Sequence, residues 1–106
     1  MTITERFRQI TELIEEQADL YYTLLPQEAT TSLRFVDRAV EDLQDAAETV
    51  GDIPQYQLDA KLSPVLLKAH EQLDRGRVQL EKGGYDKVAA MIWEQEQLIY
   101  RLLNDL

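Results

Sequence analysis

The sequence predicts an all-α fold, an antiparallel four-helix bundle made of two αα-hairpins. Three observations predict it. Apolar residues recur at alternating spacings of three and four, stop signals divide the 106 residues into four segments, and the apolar stripes of consecutive segments match when the chain is folded back on itself.

The first segment, about 3–25, opens at Thr2 with Glu5 three residues on, a capping-box pattern, and is halted by Pro26. The second, about 31–50, ends where Val50 meets Gly51, a residue type that tolerates a left-handed helix end. Ser63 and Pro64, a serine cap followed by a proline in the first turn, open the third, about 64–82, and Gly83-Gly84 closes it. The fourth runs from about 85 to 105, with Asp86 placed to complement the helix dipole. This division leaves no proline in a helix interior and makes residues 51–62 a linker across one end of a single domain, 1–106, with Ile53, Tyr56 and Leu58 as apolar pegs.

In an antiparallel hairpin, facing residues keep a constant sum of residue numbers. Leu24, Tyr21, Gln17, Ile14, Ile10 and Phe7 meet that condition with Leu33, Val36, Val40, Leu43, Ala47 and Val50. In the second half, Leu62, Leu66, Ala69, Leu73, Gly76 and Leu80 meet it with Leu106, Leu102, Ile99, Gln95, Ile92 and Val88. A slightly rotated second seam would use Met91 and Leu98 in place of Ile92 and Ile99. Each half therefore reads as an αα-hairpin, and the two together as a bundle.

A hydrophobic fraction of 44% with 29% charged residues is the balance of a globular chain. With no cysteine, disulfides, thiolate metal sites and cysteine nucleophiles are all excluded. The opening Met1-Thr2-Ile3-Thr4-Glu5-Arg6 has no basic leader before an apolar run, and no stretch approaches the roughly eighteen apolar residues of a membrane span, so a soluble, cytoplasmic protein is expected. A net charge of -9 repels polyanions and makes direct nucleic-acid binding an unfavourable expectation; it favours a basic protein partner.

Few residues offer chemistry. His70 is the only histidine. It invites comparison with histidine phosphotransfer domains, but Leu73 and Asp74 stand where that family usually has lysine and glycine, and Asp74 would repel a phosphoryl group. A di-iron bundle needs Glu-x-x-His pairs, which are absent, so no metal and no cofactor is expected. Glu12, Glu16 and Asp19 on the first helix and Glu41, Asp45 and Glu48 on the second form acidic ridges, read as solvated faces able to steer a basic partner. Gln17 and Gln95 are the polar members of the two seams and are expected to bond each other or a trapped water. Gly76 is expected to make room where helices three and four approach.

A second apolar stripe on the fourth helix, Ala89, Trp93, Tyr100 and Leu103, is extended by Tyr22 and Leu25 on the first. Two aromatics there exceed what one hairpin seam requires; they belong either to the core between the hairpins or to an oligomer or partner surface, since exposed aromatics anchor protein interfaces. The expectation is therefore a small, acidic, non-enzymatic protein–protein interaction module (adaptor, inhibitor, small chaperone or assembly factor) binding another protein or a second copy through Trp93, Tyr100, Leu103 and Tyr22. The enzymatic alternative is phosphotransfer through His70.

Overall fold

The computed structural model describes residues Met1–Leu106. Thr2 caps the first helix, α1 (Ile3–Leu24), its hydroxyl accepting the Glu5 backbone N–H at 3.1 Å. Leu25 turns inward and is buried, while Leu24, the expected end of the seam, lies at the surface. The short 3₁₀ segment Gln27–Ser32 tucks Ala29 into the core and delivers the chain to α2 (Leu33–Thr49).

The linker is shorter than its composition suggests. Two 3₁₀ turns, Val50–Asp52 and Gln55–Gln57, lead directly into α3 (Leu58–Lys82), six residues before the expected start. Leu58, Leu62 and Leu66 are spaced by four and all buried, so the apolar stripe extends the helix through Pro64. The proline is tolerated because it is exposed and deprives only the exposed Ala60 of a helical hydrogen bond. Ser63 is consequently no cap; its hydroxyl donates to Asp59 Oδ1 at 2.8 Å. Ile53 and Leu58 do pack inward, but Tyr56 is 84% exposed and pegs nothing. Gly51 carries no left-handed conformation either, since the only positive φ in the chain is +86° at Gly84. That glycine reverses the chain between α3 and α4 (Asp86–Asn104).

The helices form a ring in which α1 packs on α2, α2 on α3, α3 on α4 and α4 back on α1. Arg6 at the start of α1 bonds Asp105 just past the end of α4 at 2.7 Å, which sets these two helices antiparallel. The resulting rod measures 44 × 22 × 20 Å around one cluster of 22 buried apolar residues. Of the residues expected in the second seam, Leu62, Leu66, Ala69, Leu73, Gly76 and Leu80 of α3 and Val88, Ile92, Gln95, Ile99 and Leu102 of α4 are all buried, while Leu106, past the end of α4, is only partly so. Met91 and Leu98 sit only partly covered beside them.

Two polar seam residues meet across the bundle. Gln95 Nε2 donates to Gln17 Oε1 at 2.6 Å, and the buried Tyr21 hydroxyl donates to the same oxygen at 3.3 Å. Burial raises the Tyr21 pKa well above the usual phenol range, with Glu94 adding to the effect. This network ties α1 to α4, the pair with the least direct packing.

Gly76 faces α2, not α4. A Cβ there would stand 3.3 Å from the Ser32 carbonyl oxygen and 3.4 Å from Val36 Cγ2, so the glycine permits the close approach of α3 to the start of α2. Gly76→Leu should therefore destabilise the fold by about 1–3 kcal/mol despite leucine's better helix propensity. Thermal denaturation checks this, and a raised melting temperature would contradict it. Gln17→Leu should cost about 1–3 kcal/mol by stranding the Gln95 amide, whereas Gln17→Leu combined with Gln95→Leu should cost less than the single change. A double-mutant cycle in urea measures the difference; additive losses would contradict the network.

Candidate interaction face and the carboxylate beneath it

The inward arc of α4 is occupied by Val88, Ala89, Ile92, Gln95, Glu96, Ile99 and Leu102. At 100° per residue, Trp93 and Tyr100 fall outside that arc on the α3 side, and they are 51% and 53% exposed. The predicted second stripe thus divides. Ala89 is buried and Leu103 is half-buried against the core, while the two aromatics face out. Tyr22 does not join them. It is exposed near α2, where its hydroxyl donates to Asp37, and that bond pushes its pKa up to about 12. A shallow depression on the outer face of α4 is lined by Trp93, Glu94, Gln97, Leu98 and Arg101. Neither Glu94 nor Arg101 forms a salt bridge within the chain.

All six acidic ridge residues are exposed, but they do not form one surface. Glu12 and Glu48 border a groove between α1 and α2 together with Arg8 and Glu15. Asp45 borders the groove between α2 and α3, beside Asp42 and Lys68. Glu16, Asp19 and Glu41 line neither groove.

Beneath the aromatic side of α4 lies an acid that the sequence reading passed over. The Glu96 side chain is only 3% exposed, with Arg77 Nε at 3.2 Å and His70 Nε2 at 3.8 Å. Arg77 is the shared cation of this cluster, bonding Asp74 at 2.6 Å and Glu81 at 2.6 Å through its terminal nitrogens, and Glu96 through the more distant Nε. Its charge therefore goes first to Asp74, which is held below the usual carboxylate range by that bond. Burial, followed by the hydrogen bond and charge of Asp74, pushes Glu96 up to about 8 despite the guanidinium. Asp74 and Glu96 titrate as a pair, the proton residing on the buried member near neutral pH. His70 lies half-buried against this cluster.

A signal for Glu96 was present. The stripe Ala89, Trp93, Tyr100, Leu103 skips one helical step, and Glu96 fills it. Position 96 belongs to the inward arc whatever residue occupies it. No group of three or more His, Asp or Glu side chains is arranged to hold a metal ion. No protein-family model, curated protein or solved structure matches the chain.

An acid whose pKa is raised on folding stabilises the fold fully below its unfolded value, and that contribution is lost as pH climbs through the folded value. Between about pH 5 and 8 Glu96 should therefore erode stability, while Asp74, shifted the other way, is already ionised throughout. Glu96→Gln keeps the shape and removes the titration, so its stability relative to wild type should improve as pH rises from about 5 to 9. Urea denaturation at the two pH values tests this; a difference independent of pH would contradict it.

Proposed function

We propose that the chain is a non-enzymatic protein–protein interaction module, acting as an adaptor, inhibitor, small chaperone or assembly factor, with the outer face of α4 as its contact surface. The observation that carries the reading is the half-exposure of Trp93 and Tyr100 on a helix whose inward arc is already filled. Large aromatics in that position contribute nothing the core lacks, and they are the side chains that anchor interfaces most strongly. The net charge of -9 gives the rest of the surface a field that steers a basic partner toward the module. Phosphotransfer through His70 is less well supported, because the ionised Asp74 close by opposes a phosphoryl group.

No helix is long and apolar enough to cross a membrane. A cytoplasmic setting belongs to the proposal, resting on a cysteine-free chain that needs no oxidising compartment.

Trp93→Ala combined with Tyr100→Ala should leave the chain helical and cooperatively folded while removing the protein that wild type captures. Quantitative mass spectrometry of material retained by the two immobilised chains checks this, alongside circular dichroism. An unchanged set of captured proteins, or an unfolded variant, would contradict the assignment of these rings to a contact surface.

A further inference from the structure

We infer that the occupant of the α4 face is a second copy of this chain, packed antiparallel against the same helix. The inference rests on the reading of that face as a contact surface and names its partner.

The face is self-complementary. Viewed down α4, Gln97 lies between two flanks, one carrying Trp93 and Tyr100 and the other Glu94 and Arg101. A two-fold axis perpendicular to the helix at Gln97 brings each flank against its own counterpart with the direction reversed. Trp93 then meets the partner's Tyr100, Glu94 meets the partner's Arg101, and both pairings occur twice. A parallel arrangement would instead set each aromatic flank against a charged one. Within its own chain neither Glu94 nor Arg101 has an ion-pair partner, so both are free to pair across a contact. Trp93, Glu94, Gln97 and Arg101 line one shallow depression, with Gln97 at the height where the axis would pass. Ala90, one heptad before Gln97, is small and exposed, which lets the helices approach.

Local charge selects this face for a second copy. A chain of net charge -9 repels its own copy over most of its surface. On this face Glu94 and Arg101 cancel locally, so it is a place where two copies repel each other less, and they gain opposed charges across the contact.

Sedimentation equilibrium on the full chain tests the inference. Wild type should show a concentration-dependent monomer–dimer equilibrium. Glu94→Arg alone and Arg101→Glu alone should each weaken it by at least about tenfold, by setting like charges together. An equimolar mixture of the two variants should recover a dimer, because each then supplies the charge the other needs. Both positions are exposed, so the variants should remain folded. A wild-type chain that stays monomeric overturns the inference, as does a mixture that recovers nothing. If that monomer still needs Trp93 and Tyr100 to capture a different protein, the contact-face reading survives without the second copy. A dimer untouched by Trp93→Ala with Tyr100→Ala would overturn both.

Discussion

The rotation of α4 about its own axis is the constraint on which the rest of this structure depends. Two consecutive polar residues set it. Gln95 reaches toward α1 and bonds Gln17, while Glu96 reaches toward α3 and bonds Arg77. Adjacent positions on a helix point about 100° apart, so these two bonds hold the inward arc of α4 from opposite sides. The apolar residues Ile92 and Ile99 lie between them. Apolar packing alone would tolerate a small rotation that exchanged Met91 and Leu98 for Ile92 and Ile99; directional hydrogen bonds to two different helices do not. Once α4 is held this way, Trp93 and Tyr100 have no place to go but out.

The same polar pins carry a cost in stability that an apolar core would avoid. Arg77 bonds three carboxylates but carries one charge, and Glu96, the most buried of them, is left to protonate. Gln95 Oε1 is buried without a partner in the chain. Replacing such groups with hydrocarbon commonly leaves a fold as stable or more so. Their value here is orientation, because they fix which residues α4 turns outward. Buried polar groups that select one arrangement over close alternatives are a known use of that cost.

Much of the bundle was legible in the sequence because apolar spacing reports burial directly. The α3 and α4 seam residues from Leu62 to Leu80 and from Val88 to Leu102 are buried as the spacing implied. Where reading failed, a local rule overrode a longer pattern. Pro64 was taken as a helix start, although Leu58 and Leu62 already continued the stripe ahead of it. Gly76 was assigned to α4 because hairpin logic considers one partner at a time, whereas a ring gives each helix two neighbours, and the glycine serves α2. Glu96 escapes a reading that follows apolar residues alone, although its position in the period places it inside. The half-exposure of Trp93 was not decidable from spacing, since it turns on the rotation that Gln95 and Glu96 fix.

The chain has a single tryptophan, so its fluorescence reports on α4 alone. The most direct measurement is acrylamide quenching of Trp93 over a wide range of protein concentration. An outward-held α4 predicts a solvent-accessible indole in the dilute chain, with quenching that declines as concentration rises and a second copy covers the ring. A blue-shifted indole that resists quenching even at high dilution would place Trp93 in the core and contradict the account.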